Sequence, residues 1–319
     1  MKNLKTIRLV ISVSALIFMS SCRGPVVSDP TVFATNVELA QQVGDSMSSV
    51  DEASGSVGNF ALMKEINAIE KSAEKSIALF ENKKTKTPRN FLFSSELNPF
   101  IITPANAITC FGNGFSACSS SAITRTFNNC TVGAATFSGS VNMTFSGPTA
   151  PTCKLQAAGD TVVRNPAFTI SLGSANISVS KTGVNGQTLS WVSGAVANKV
   201  FSLANDGIRR TLSIASVLKY DVTTLITSPI TVTGSDRTNR IMNGGTLRLQ
   251  NNLTTEQCDI VPSNVTWVGG TCTCATSGSW SGTCQTRGAF TMTITGCGTA
   301  NLTIGTETSA VTLNRCSAN

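Results

Sequence analysis

From about residue 107 to the C-terminus, apolar side chains alternate with Ser, Thr and Asn. Ala135, Phe137, Val141, Met143 and Phe145 share one parity, and Phe168, Ile170 and Leu172 follow the same rule, as do Phe290, Met292 and Ile294. Shorter cases are Leu212 with Ile214, Ile230 with Val232, Leu247 with Leu249, and Leu302 with Ile304. Successive side chains on a strand point to opposite faces. A period of two therefore means strands with one buried and one wet face, which is an antiparallel architecture. Asn205-Asp206-Gly207, set between two apolar runs, predicts a hairpin turn. Gly244-Gly245 and Gly269-Gly270 read as further breaks. The spacing accommodates about ten to fourteen strands, enough for an antiparallel β-sandwich, a barrel-like body or a long curled sheet.

The period changes upstream. Thr35-x-x-Glu38 matches a capping box, and Leu39, Val43, Met47 and Val50 follow at helical spacing. Gly55 and Gly58 interrupt the pattern. Asn59 can cap a second helix, in which Leu62, Ile66, Ile69, Ala73, Ile77 and Phe80 recur three and four apart. Residues 35–85 thus predict a helical hairpin. Its apolar stripe is expected to pack within the hairpin or on the β body, with a coiled-coil contact to another chain as the alternative. Pro88, Pro99 and Pro104 mark residues 86–106 as a linker, and 107–319 is expected to be a disulfide-rich antiparallel β domain. The fold class is then mainly β with an N-terminal helical hairpin.

The first residues follow neither period. Lys2, Lys5 and Arg8 precede an apolar run, Leu9 to Phe18, which small residues close at Cys22. A basic start, a short apolar core and a small-residue exit describe an export signal, and the run is too short for a bilayer span of about 20 residues. Met19-Ser20-Ser21-Cys22 resembles the lipobox of bacterial lipoproteins, with Met19 where that pattern usually has Leu. The resemblance covers residues 1–22 and classifies an anchor, not the body. It implies a signal peptide over 1–21, cleavage before Cys22, and a diacylglyceryl thioether on the Cys22 sulfur with a further acyl chain, such as palmitate, on the new amino group. Residues 22–34 would be the lipidated tether. In enteric bacteria an Asp after the cysteine favours retention in the inner membrane. Arg23 stands there instead, so by that rule the protein goes to the cell outer membrane, on its periplasmic face or at the cell surface. An ordinary secretory signal is the alternative.

Composition narrows the chemistry. Charged residues are only 13% of the chain, and the formal charge of +7 includes three positives in the signal. The remaining positives are scattered, so nucleic acid is not an expected partner. Histidine is absent. That removes Ser-His-Asp and Cys-His catalysis, histidine-ligated metals and the usual pH switch. No D-x-D-x-D-G calcium loop occurs.

Eleven cysteines become an even ten once Cys22 carries lipid. In an exported chain this reads as up to five disulfides. Cys110, Cys118, Cys130 and Cys153 open the β region, and Cys258, Cys272, Cys274, Cys284, Cys297 and Cys316 close it. Each group can close on itself. Short loops suggest Cys110–Cys118, Cys130–Cys153, Cys258–Cys272, Cys274–Cys284 and Cys297–Cys316. A zinc site would call for C-x2-C knuckles, which these spacings do not supply, so no metal and no cofactor is expected.

Two further features carry candidate chemistry. Asp160, Asp206, Asp221, Asp236, Glu256, Asp259 and Glu307 are the acidic residues of the β region. Glu256 and Asp259 with one aspartate could serve a glycan hydrolase, which needs two carboxylates across a sugar. Trp280 sits in a Gly/Ser stretch between Cys274 and Cys284, where its ring can either cover a disulfide or offer a contact. Trp191 and Trp267 lie in strand-like runs and are expected in the core. The sequence points to a lipid-anchored cell-envelope protein, not an enzyme, with a binding, adhesion or structural role. Its partners would be the membrane, through the lipid, and an envelope protein or glycan. The alternatives are the carboxylate hydrolase and an accessory lipoprotein of an outer-membrane assembly.

Overall fold

The computed structural model describes Leu39, Val43 and residues 116–132, 135–195, 199–234, 240–268, 272 and 275–313. The chain divides into two compact units, Met1–Leu39 and Ala40–Asn319. Leu39 in the first and Val43 in the second are helical and buried. The rest of the expected hairpin, the linker, the signal, the tether and Cys22 lie outside the described residues, as do Cys110, Cys274 and Cys316.

The described part of the second unit is one antiparallel sheet of fourteen strands. In chain order these are β1 Ala122–Val132, β2 Ala135–Ser146, β3 Thr161–Leu172, β4 Ala175–Lys181, β5 Gln187–Ser193, β6 Val200–Ile214, β7 Val217–Thr233, β8 Ile241–Asn243, β9 Thr246–Asn251, β10 Gln257–Thr266, β11 Ser277–Cys284, β12 Gly288–Gly296, β13 Thr299–Ile304 and β14 Glu307–Thr312. The path is a meander. Each strand pairs with the next, except that β4 and β5 share the space between β3 and β6, and β8 and β9 share that between β7 and β10. The fourteen segments therefore occupy twelve lanes. The described strands form a single antiparallel sheet, as expected of a mainly β body.

The runs that alternate in the sequence are strands, and Phe137, Val141, Met143, Phe145, Phe168, Ile170, Phe290, Met292 and Ile294 are buried on their apolar parity. One row shows how far the register extends. Ile123, Met143, Arg164, Gln187, Asn205, Ile226, Leu247, Ile260, Gly282, Phe290, Ile304 and Glu307 stand opposite one another, one per lane. Rows beside it carry Phe145, Val162, Leu189 and Leu203 on one side and Phe127, Phe168 and Val179 on the other, all buried. A slip of one residue would turn every one of these side chains to water, so burial of one face pins the pairing.

Asn205-Asp206-Gly207 does not turn the chain. Strand β6 runs straight through it, with an irregularity opposite β7. The Asn205 Oδ1 accepts the Gly207 N–H at 2.7 Å, which satisfies locally the tendency that would otherwise make a turn. In the neighbouring lane residues 182–186 loop out between β4 and β5. Thr182 N–H donates to the Gly207 carbonyl at 2.9 Å, and Asp206 N–H donates to that of Gly186 at 3.2 Å. The two irregularities lie side by side and bond to each other. Gly244-Gly245 likewise interrupts a lane, between β8 and β9, without reversing the chain.

Gly139 marks a tight place in the sheet. Phe127 and Phe168 lie opposite it on either side, and their rings meet at 5.6 Å. The Gly139 φ of +107° suits glycine, and an added Cβ would lie 2.3 Å from the Ala167 carbonyl oxygen. Gly139→Ala is therefore expected to lower stability by about 2–4 kcal/mol, from backbone strain and overpacking together. Urea unfolding followed by tryptophan fluorescence measures it, and an unchanged midpoint would contradict the packing.

Candidate functional site

The carboxylates picked from the sequence are distributed among separate structural roles. Asp160 is fully buried at the entry to β3. Its Oδ1 accepts the Thr149 N–H at 2.8 Å, and its Oδ2 accepts those of Gln156 at 2.8 Å and Ala157 at 2.7 Å, with the Thr149 hydroxyl also donating. One anion thus folds the whole β2–β3 loop around itself. Burial alone would push its pKa up; the hydrogen bonds outweigh burial and hold it below the usual range. Asp206 is exposed and caps its own loop by accepting the Asn185 N–H at 3.1 Å. Asp221 is gripped by Arg209, whose Nε donates to Oδ1 at 2.8 Å, while Asn252 Nδ2 donates to the same oxygen at 2.8 Å. Arg248 Nε and Nη2 hold Asp259 at 2.7 and 2.9 Å across the β9–β10 pair. Hydrogen bonds from Arg209 and from Arg248 are the main reason that Asp221 and Asp259 sit below the ordinary carboxylate range.

Glu256 pairs with Arg287 at 3.1 Å and accepts from the Thr286 hydroxyl. Glu307 is exposed at the β13–β14 hairpin, and Asp236 lies outside the described residues. A glycosidase acid needs a raised pKa. Asp160, Asp221 and Asp259 are moved the other way, and Glu256 and Asp259 are each held by a different arginine.

The cysteines pair by register and not by proximity along the chain. Cys258 and Cys284 stand directly opposite on β10 and β11, with Cα atoms 4.0 Å apart. Cys118 bonds Cys153 in the Asp160 loop, and Cys272 bonds Cys297. These bonds replace the short closures expected for Cys118, Cys153, Cys258, Cys272, Cys284 and Cys297, because the meander brings strand ends together across 25 to 35 residues. Cys130 is also disulfide-bonded. The described bonds stay within the two groups seen in the sequence. Glu256, Cys258 and Cys284 place donor atoms within 4.8 Å of one another. The two sulfurs are bonded to each other, so the thiolates a metal would need are absent from that group.

Of the two readings of Trp280, the contact is overturned. Its stretch is strand β11, not a loop, and the register places it between Pro262 and Met292 with 0% of its surface exposed. It is a core residue and offers no contact surface. Trp191 and Trp267 are core as expected. Lys199 covers the Trp191 ring at 4.1 Å, and the indole N–H donates to the Ser193 carbonyl at 2.9 Å.

What β11 to β14 offer outward is a field of hydroxyls. Ser281, Thr291, Thr303 and Thr308 form one row across the four strands; Ser279, Thr293, Asn301 and Ala310 form the next. Ser281 and Thr291 hydroxyls lie 3.2 Å apart, those of Thr303 and Thr308 2.9 Å, and those of Thr295 and Thr299 3.0 Å. No charged residue interrupts these rows. The inward face of β1 to β6 has a different surprise, which the sequence reading missed. Arg125, Arg164, Gln187 and Asn205 are buried on the apolar parity. The signal was present: Arg125 shares its parity with Ile123 and Phe127, and Arg164 shares its own with Val162 and Phe168.

Among the described residues no helix is long and apolar enough to cross a membrane. Comparison of the chain with protein-family models, curated proteins and solved structures finds no match.

The depressed carboxylates set a pH dependence. A lowered folded pKa means the unfolded chain binds more protons between that value and its own, near 3.8. The stabilisation is complete above the unfolded pKa and disappears as pH falls through the folded values. Stability should hold down to about pH 5 and drop below about pH 4. Asp221→Asn should cost about 2 kcal/mol at neutral pH and flatten part of the acid limb. Urea midpoints across pH 2–7 check both; an unaltered acid limb would show that Asp221 is not held by Arg209.

Proposed function

We propose that this is a lipid-anchored cell-envelope protein with a non-enzymatic role in contact, adhesion or envelope structure. The observation that carries the reading is the surface of β11 to β14, where the two outward rows are Ser, Thr and Asn with one Ala, Ala310, and no charge. Such a face costs less to desolvate than an ionic surface of its size and has many donors and acceptors. It suits a glycan or the polar face of another envelope protein. The disulfides fit an oxidising compartment, which is where the lipobox-like Met19-Ser20-Ser21-Cys22 would send the chain. Among the described residues Asp160, Asp221, Asp259 and Glu256 are each bound in loop or ion-pair contacts, which favours the non-enzymatic reading over the hydrolase. The accessory-lipoprotein reading depends on the 62–80 stripe, which lies outside the described residues.

The anchor is tested by Cys22→Ala. The variant precursor should remain unlipidated and leave the detergent phase on phase separation, while the unaltered chain partitions with lipoproteins. Equal partitioning of the two would contradict the anchor.

A further inference from the structure

The inward cysteine pair of β10 and β11 has an acid beside it. Cys258 and Cys284 are 1% and 2% exposed, and Glu256 is 7% exposed. The two sulfurs and a Glu256 carboxylate oxygen all lie within 4.8 Å of one another. The sheet holds this arrangement from several sides. Asp259 stands opposite Thr283, Leu249 opposite Cys258 and Gly288 opposite Cys284. The Gln285 N–H donates to the Gln257 carbonyl at 2.9 Å. Because the ladder sets the two Cα atoms 4.0 Å apart, opening the S–S bond frees the sulfurs without separating the strands that carry them.

Glu256 is fixed from the turn that follows Cys284. Arg287 meets its Oε2 at 3.1 Å, and the Thr286 hydroxyl donates to its Oε1. An ionised carboxylate has about four acceptor positions, so these contacts orient it without exhausting it. Two thiolates and one carboxylate are donor types of zinc, with a fourth place for water. The thiolates disfavour calcium and magnesium, and the carboxylate is too hard a ligand for copper(I). Gln285 and Thr286 are exposed, so the site lies just beneath the surface of the β11–β12 turn.

We infer that reduction of the Cys258–Cys284 bond converts this disulfide into a zinc site with Glu256 as the third ligand. A dithiol reductant opens the bond by exchange. It gives up two electrons and closes its own disulfide, and its two hydrogens end on the Cys258 and Cys284 sulfurs. Zinc then binds both thiolates, and the two thiol protons pass to water. Arg287 remains the outer partner that orients Glu256. The same position thus carries a covalent staple under oxidising conditions and a metal staple under reducing ones. The inference stands independently of the lipid anchor and of the proposed contact role.

Zinc binding to the full chain tests it, with a chromophoric chelator as competitor, before and after reduction by a phosphine. The reduced chain should hold zinc at least about tenfold more tightly than the oxidised chain, and Glu256→Gln should weaken that binding at least about tenfold. Equal affinity of the oxidised and reduced chains, or an unaffected Glu256→Gln variant, overturns the inference. The phosphine reduces the other disulfides too, so alkylation mapped by peptide mass assigns the ligands. It is done on the unaltered reduced chain, where a misfolded variant cannot obscure it. Zinc should shield Cys258 and Cys284 from iodoacetamide. Shielding confined to Cys272 and Cys297, or to Cys118 and Cys153, overturns the inference. Amides of β10 and β11 should keep their protection from hydrogen exchange in the zinc-loaded reduced chain. Loss of that protection also overturns it, because the ladder would no longer hold the ligands together.

Discussion

Every strand of this sheet has one face that must leave water, and the sheet solves that requirement once, for all lanes together. Because side chains alternate, the pairing of any two neighbours fixes which residues go inward, and each lane passes its parity to the next. The row from Ile123 to Glu307 crosses all twelve lanes without losing that parity. Irregularities are absorbed where they occur. The β6 bulge at Asn205–Gly207 lies beside the loop between β4 and β5, and Gly244-Gly245 restarts a lane. The disulfides, the core tryptophans and the hydroxyl rows all take their positions from this shared register.

The same constraint sorts the charged groups. On the outward face Arg209 meets Asp221 and Arg248 meets Asp259 because the register sets them on adjacent strands within reach. Bidentate arginine–carboxylate geometry then keeps both partners ionised. On the inward face Arg125 and Arg164 are buried on the apolar parity of β1 and β3.

Much of the fold was legible in the chain. The alternation at Phe137–Phe145, Phe168–Leu172 and Phe290–Ile294 identified strands and their buried faces. What it could not reveal was anything that depends on which strand lies beside which. Cys258 faces Cys284 only because β10 and β11 are hairpin partners in one particular register. Distance along the chain favoured Cys272 instead. Trp280 looked like a loop tip because Ser and Gly dominate its neighbourhood. Those small residues are in fact the outward positions and a glycine beneath the Phe290 ring. Asn205-Asp206-Gly207 carries a real turn preference, which a neighbouring loop converts into a bulge. Arg125 and Arg164 were readable by parity but passed over, since an arginine within Thr, Asn and Val attracts no notice unless the parity is followed.

The functional picture rests on two features of different chemistry: the lipobox-like sequence ending at Cys22, on which the proposed anchor rests, and the uncharged hydroxyl rows of β11 to β14. The register organises the sheet that carries those rows. The most direct test of that register is disulfide mapping by mass spectrometry on the non-reduced protein, digested between the cysteines. The account predicts peptides linking Cys118 to Cys153, Cys258 to Cys284 and Cys272 to Cys297. Recovery of Cys258 joined to Cys272, or of Cys130 joined to Cys153, would contradict it.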